Sequence, residues 1–252
     1  MRIDVITLFP DLIQAFAGQG VTRRAFETGQ MALTCWNPRD FAEGPYRRVD
    51  DRPFGGGPGM VMQAEPLALC LQAIREARDD DRQRAPLVYF SPIGQPLQQQ
   101  AVQGFASSVD GAILLCGRYE GIDQRFIDAH VDIQISLGDF VMSGGEIAAM
   151  AWLDAVARLQ PEVLNDSDSH AQDSFSPDLS GLLDCPHFTR PEVWRGVGSP
   201  PELLSGHHAR IAQWRREASL RLTADQRPDL IAKARAAGLL SAADEQLLAG
   251  KK

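Results

Sequence analysis

The stretch Ala112-Ile113-Leu114-Leu115-Cys116-Gly117-Arg118-Tyr119-Glu120-Gly121-Ile122-Asp123 decides the fold. Its short apolar run reads as a β-strand, and the glycine-bounded polar segment behind it reads as the turn at that strand's carboxyl end. The same pairing occurs on either side. Residues 87–90 run into Ser91-Pro92-Ile93-Gly94, and residues 131–135 run into Ser136-Leu137-Gly138-Asp139-Phe140-Val141-Met142-Ser143-Gly144-Gly145-Glu146. Further strands are predicted over 3–9 and 31–36, with helical patterns over 66–77, 97–106 and 124–130 between them. Strands alternating with helices predict an α/β fold, a parallel sheet with helices on both faces. In such sheets ligands sit at the carboxyl ends of strands, so these three loops are the predicted site. Glycine there lets a ligand approach the backbone, whose N–H and C=O groups are able to read a purine edge.

Residues 145–159 carry Ile147, Met150, Ala151, Leu153 and Val156 at helical spacing and close the α/β region. Pro161 stops that helix, and residues 165–174 are too polar to bury anything. Helical patterns then follow over 207–222, 228–237 and 241–248, punctuated by Gly206, Pro228 and Gly238. The expected organisation is therefore an α/β domain over 1–160, a flexible linker over 161–185 and a small all-helical domain over 186–252.

The 252-residue chain is 44% hydrophobic, enough for a real core. No apolar run reaches the roughly 18 residues needed to span a bilayer, and the start lacks a signal-peptide pattern, so a cytoplasmic protein without a membrane partner is expected. Cys35, Cys70, Cys116 and Cys185 are scattered without a CxxC pair, which predicts neither disulfides nor a zinc site. A net charge of −8 argues at first against a nucleic-acid partner, yet its distribution is uneven. Residues 161–185 hold six acids and no Lys or Arg, whereas residues 186–252 hold eleven Lys or Arg against seven acids, a net of +4. A basic helical tail suits phosphate contacts, and it equally suits a solvated helix face.

Gly55-Gly56-Gly57-Pro58-Gly59-Met60 has neither GK[ST] nor G-x-G-x-x-G spacing and follows residues 47–53, which do not read as a strand. A flap closing over substrate, or a plain surface loop, fits it better than a phosphate cradle. His207 and His208 are adjacent and poorly placed to share a metal, and His187 beside Pro186 suits packing or capping as well as ligation. Acid–base candidates are Arg158, at the end of the long helix, with Asp173 and Asp184 in the linker; an Asp in a linker is more often simply solvated.

Taken together, the loops resemble those of the bacterial tRNA (guanine-N1)-methyltransferase family of the SPOUT superfamily. The matching pieces are residues 2–10, 51–60, 115–123 and 136–146, Asp173-Ser174-Phe175, residues 182–191 and Leu203-Leu204-Ser205-Gly206. This resemblance implies a trefoil knot at the C-terminal end of the α/β domain, S-adenosylmethionine as methyl donor, tRNA as substrate with its guanosine at position 37 as target, and a homodimer with shared active sites. It implies donor contacts at Tyr89, Phe90, Ser91 and Pro92, at Gly117, Tyr119, Glu120 and Gly121, and at Ser136, Leu137, Gly138, Asp139, Phe140, Val141, Met142, Gly144 and Gly145, with Asp184 in support. It implies Asp173 as general base and Arg158 as the electrophilic partner, tRNA contacts at Gly57, Gly59, His187, Arg190 and Arg215, and an association with magnesium for which Glu120 is the lone candidate ligand. Ile93, Ala148, His207 and Arg210 depart from the usual family pattern.

The assigned chemistry is coherent. Guanine N1 is a poor nucleophile until it loses its proton, and the resulting charge spreads to O6, so a carboxylate near N1 and a guanidinium near O6 are complementary. The competing expectations are a knotted methyltransferase acting on a ribose hydroxyl or an rRNA base, and a non-catalytic RNA-binding protein.

Overall fold

The computed structural model describes residues 1–78, 85–108, 111–164 and 172–250. The chain divides into two compact units, Met1–Asn165 and Asp166–Lys252. In the first, strands β1 (Arg2–Ile6), β2 (Ala32–Trp36), β5 (Leu87–Pro96), β6 (Gly111–Leu115) and β7 (Ile133–Ser136) form one sheet in the order β2-β1-β6-β5-β7, parallel throughout. The connection from β6 to β7 passes over β5 to reach the sheet edge. The three loops singled out in the sequence therefore belong to three neighbouring strands.

Alternation along each strand builds two cores. Ile3, Val5, Val88, Phe90, Ala112, Leu114 and Ile135 face one side, packed with buried residues of α1 (Pro10–Ala17), α2 (Gly20–Glu27), α4 (Gln99–Ser108) and α6 (Glu146–Ala157). Leu87, Tyr89, Ile113 and Leu115 face the other, against α3 (Ala64–Ala77) and α5 (Gln124–His130). Helices thus cover both faces, as the alternating pattern predicts. Trp152 of α6 is almost wholly buried and meets Phe105 edge-on at 5.2 Å. Ile147, expected on the apolar face of that helix, is exposed instead, and Ala148 and Ala149 occupy the interior.

Two helices escaped the sequence reading. The stretches α1 and α2 each span two turns, too short for a periodicity window, although Pro10 sits at the first turn of α1 where its missing N–H costs nothing. Residues 47–53 also hold more order than expected. Asp50–Asp51 (β3) pairs antiparallel with Val61–Met62 (β4), so the glycine-rich stretch is the connection of a small hairpin.

The second unit contains α7 (Pro201–Leu204), α8 (His208–Gln226), α9 (Pro228–Ala236) and α10 (Ala242–Ala249), with Leu182, Leu220, Ile231 and Ala234 at its core. It is not all-helical. Strands β8 (Val193–Trp194) and β9 (Val197–Gly198) form a hairpin, because Arg195 and Gly196 both adopt positive φ, 52° and 84°, the geometry of a tight two-residue turn. The expected boundaries shift too. Of the segment 161–185, residues 172–185 carry a 3-10 turn at Pro177–Leu179 and deliver Leu182 to this core, while 165–171 lie outside the described residues. Among the described residues no helix is long and apolar enough to cross a membrane.

Helix α10 opens with a reciprocal cap between Ser241 and Asp244, and the Asp244 carboxylate also accepts from Arg216 Nη2 at 2.9 Å and Nε at 3.1 Å. The Arg216 hydrogen bond holds that carboxyl down at about 2, against an ordinary 3.8. A depressed folded value means stability present above about 3.8 and lost as pH falls through about 2, worth about 2 kcal/mol at neutral pH. The amide protection factors across 208–250, corrected for the intrinsic exchange rate, are expected to fall over that acid window in the native chain. Asp244→Asn should be less protected at neutral pH and show a flatter acid dependence; an identical pH profile in the variant would refute the linkage.

Candidate active site

A cleft of about 260 Å³ opens at the carboxyl ends of β5, β6 and β7. Its walls are Tyr89, Phe90, Ser91 and Pro92; Gly117, Arg118, Tyr119, Glu120 and Gly121; and Ile135 to Gly138, Phe140 to Gly145, and Ala148. Strand β5 supplies the first wall through an irregularity. Phe90 and Gln95 both pair with Ile135, so residues 91–94 are looped out of register toward the ligand side.

The second and third walls are held together by one buried carboxylate. Glu146, fully buried in the first turn of α6, accepts from Thr7 Oγ1 at 2.8 Å and from Arg118 Nε at 2.8 Å. Arg118 in turn donates to the Ser143 carbonyl at 3.2 Å and lays its guanidinium 4.3 Å over the Phe9 ring. The Thr7 hydroxyl also accepts from the Phe9 N–H at 2.9 Å. A carboxylate at a helix N-terminus is favoured by the peptide dipoles as well. The end of β1, the loop after β6 and the start of α6 are thereby locked in one arrangement.

Gly144 and Gly145 make this close packing possible. A Cβ at 144 would stand 2.2 Å from Arg118 Nε, and one at 145 would stand 2.8 Å from Cys116 Cα. The pair brings the backbones together, with Gly145 N–H donating to the Gly117 carbonyl at 2.9 Å. A similar approach fastens the β3–β4 hairpin to the second wall. Glu120 N–H donates to the Met60 carbonyl and Met62 N–H to the Gly121 carbonyl, and a Cβ at Gly59 would fall 2.3 Å from Glu120 Oε1.

The cleft is chemically suited to a nucleoside. Ile135, Leu137, Met142 and Pro92 offer apolar surface, and backbone supplies the polar groups. Among the described residues the N–H groups of Leu137 and Met142 make no hydrogen bond within the protein and remain as donors. Its volume lies just below the roughly 300–1,000 Å³ of ligand pockets, and its rim carries exposed Tyr119, Phe140 and Val141. Magnesium does not fit. Glu120 is the lone carboxylate of the walls, a hard cation wants several oxygen ligands, and among the described residues no cluster of three His, Cys, Asp or Glu is present. Cys116 lies beneath the cleft, fully buried, its thiol pushed well above the usual range by burial and by the Glu146 charge, so it is no nucleophile.

All the sequence-derived donor residues line this cleft except two. Asp139 is exposed on the third loop without joining the walls, and Asp184 lies in the second unit. There Asp184 accepts from the Cys185 N–H at 2.6 Å and pairs with His187 Nε2 at 2.9 Å. Arg158 is the C-terminal cap of α6 in the first unit, and Asp173 is half-buried in the second. Gly57 and Gly59 lie in the β3–β4 connection, while Arg190 and Arg215 are exposed on the second unit. The sequence reading missed Arg118, Ser143, Ile135 and Ala148 as walls, and Thr7 and Glu146 as supports. An available signal was the acid directly after the double glycine, facing a lone arginine in the loop before it.

A wider groove of about 660 Å³ along α3, edged by Glu65, Gln72, Arg75, Glu76 and His130, lies away from these strand-end loops.

Glu146→Ala would strand the Arg118 guanidinium and the Thr7 hydroxyl and is expected to cost about 3 kcal/mol, since Arg118, 19% exposed, has partial access to water. Binding of S-adenosylmethionine should weaken along with it. Thermal unfolding and calorimetry of the same preparation check both; a folded variant with native donor affinity would show that the clamp does not shape the cleft.

The profile of the family described as tRNA (Guanine-1)-methyltransferase TrmD matches residues 1–233. A protein named tRNA (guanine-N(1)-)-methyltransferase from Paracidovorax citrulli is 65% identical over 250 residues, covering 99% of this chain and 98% of the relative. Relatives of the same name from Polaromonas and Albidiferax ferrireducens are 66% and 63% identical over 250 and 251 residues, covering 99% and 100% of this chain and 96% and 100% of their own lengths. The crystal structure of the tRNA (m1G37) methyltransferase from Aquifex aeolicus superposes with a TM-score of 0.71 at 36% identity, over 92% of this chain and 95% of that one. With the profile spanning most of its length and these relatives covering nearly all of it, the chain belongs to the tRNA (guanine-1)-methyltransferase family.

Proposed function

We infer that this protein transfers the methyl group of S-adenosylmethionine to N1 of a guanosine in tRNA, at position 37 on the 3′ side of the anticodon. The observation that carries this reading is the nucleoside-sized cleft built by the loops of three adjacent strands in a chain of this family. When bound, the donor supplies an electrophilic methyl group. The loops around Tyr89–Pro92, Gly117–Gly121 and 136–145 hold and orient it, chiefly through backbone groups. Asp173 takes the N1 proton of guanine, and Arg158 stabilises the charge that develops on O6. Asp184 is a supporting residue near the donor. Gly57 and Gly59 close on the RNA, and Arg190, Arg215 and His187 contact it.

The reaction is expected in the cytoplasm, where tRNA is found. A trefoil knot is part of the same reading, favoured by the β6-to-β7 connection that passes β5 and by the pairing of Arg118 with Gly144. So is a homodimer in which Asp173 of one copy serves the cleft of the other. Exposed Phe9, Leu12, Phe140, Val141 and Ile147, on elements at or beside the cleft, supply apolar surface for such pairing.

Incubation with labelled donor and tRNA transcripts is expected to give N1-methylguanosine only where position 37 is G. Asp173→Asn should keep donor affinity by calorimetry and lose about 10² to 10⁴ in turnover. Comparable loss of donor binding would make Asp173 a structural residue instead. Sharing is tested by co-expressing Asp173→Ala with Gly144→Trp under different tags. Restored activity in the purified heterodimer is the expected result, since one site then combines an intact cleft with an intact base; a dead heterodimer contradicts sharing.

A further inference from the structure

The segment bearing Asp173 is gripped by one face of α8 at three points spaced along that helix. Arg216 donates to the Leu179 carbonyl at 3.4 Å and to Ser180 Oγ at 3.3 Å. One turn on, Ser219 Oγ donates to the Leu183 carbonyl, and a further turn on, Thr223 Oγ1 accepts from the Leu183 N–H at 3.1 Å. Positions i, i+3 and i+7 lie on one helix face. Both backbone groups of Leu183 are thus satisfied by hydroxyls, and both hydroxyl residues are buried, Thr223 completely. Thr223 also donates to the Ser219 carbonyl at 2.7 Å, which aims its lone pair at Leu183.

The grip passes on to the Asp173 turn through backbone. Phe175 N–H donates to the Leu182 carbonyl at 2.8 Å, and Ser176 N–H donates to the Asp173 carbonyl at 3.1 Å. Asp184 N–H donates to Ser174 Oγ at 2.9 Å. Residues 173–176 are therefore registered on 182–184, and 182–184 are registered on α8. The same helix displays Arg215 on its exposed surface.

We propose that Ser219 and Thr223 are positioning residues, which set the turn carrying Asp173 and so make the helix that meets RNA the element that aims the base. The proposal rests on Asp173 being that base. A packing role alone predicts that any residue of the right volume suffices at 223, whereas positioning requires the hydroxyl. Thr223→Val keeps the volume and removes the acceptor; Thr223→Ser keeps the acceptor.

In the full-length protein, with donor and tRNA saturating, Thr223→Val is expected to slow single-turnover methyl transfer about tenfold to a hundredfold, the scale of a misplacement near 1 Å. Its KM for tRNA should stay within about twofold of native. Thr223→Ser should restore the rate, and Ser219→Ala, the milder deletion should Thr223→Val fold poorly, should repeat the loss. A native rate in both deletions, a loss confined to KM, or a loss that Thr223→Ser fails to repair overturns the proposal. Asp173→Asn, assayed beside them, separates the two claims. If it is inactive while Thr223→Val and Ser219→Ala run at native rate, positioning alone is wrong; if it retains the native rate, the base assignment is wrong and the positioning proposal fails with it.

Discussion

The Glu146 carboxylate has no access to water, and every hydrogen bond it gives up on burial must be replaced inside the protein. It recovers them from Thr7 Oγ1 and Arg118 Nε, which come from the ends of two adjacent strands. Such a buried pair is costly to assemble and costlier to break, so it favours one arrangement over its neighbours more than it stabilises the fold. Here that arrangement is the seating of α6 against the loop after β6. The cleft exists because this seating leaves the 137–144 loop arched between β7 and α6.

Shape follows from the same constraint. Side chains at 144 or 145 would push α6 away from Cys116 and Arg118, opening the wall and separating the carboxylate from its donors. Beyond it, the β3–β4 hairpin is tied to Glu120 and Gly121 by backbone hydrogen bonds, leaving its glycine-rich tip, with Phe54 almost fully exposed, outside the packed core. In the proposed function, donor recognition falls to backbone held rigidly from behind, and contacts with a large substrate to the loop outside the packed core.

The second unit solves a separate problem. In the proposed function Asp173 is the base, and a reacting carboxylate must be placed accurately against its substrate. Holding the chain around Asp173 by backbone-to-hydroxyl bonds from Ser219 and Thr223 fixes the turn using neutral groups. The charged contact from Arg216 falls on a carbonyl and a serine hydroxyl at 179 and 180, several residues along.

The apolar runs at 87–90, 112–116 and 131–135, each backed by a glycine-bearing loop, were enough to read a parallel α/β sheet and to locate its functional edge, because strand period and turn chemistry are local properties. The loop residues Ser91, Pro92, Gly117, Tyr119, Glu120 and Gly121 were legible at that edge for the same reason, whereas Tyr89 and Phe90 came from the family resemblance. Shorter elements were not: α1 and α2 offer two turns each, and the Arg195–Gly196 turn places an arginine at positive φ, a conformation its side chain disfavours. Nor was the role of Glu146, since an acid after two glycines reads equally as a helix start; its partners stand 139 and 28 residues away in sequence. Likewise residues 172–185 look like linker by composition, yet Leu182 is buried and Leu183 is satisfied by hydroxyls some 36 to 40 positions later. Sequence alone determined which segments become strands, helices and ligand-facing loops. Tertiary structure decided which buried polar group meets which, because that pairing depends on contacts between distant residues that no local pattern encodes.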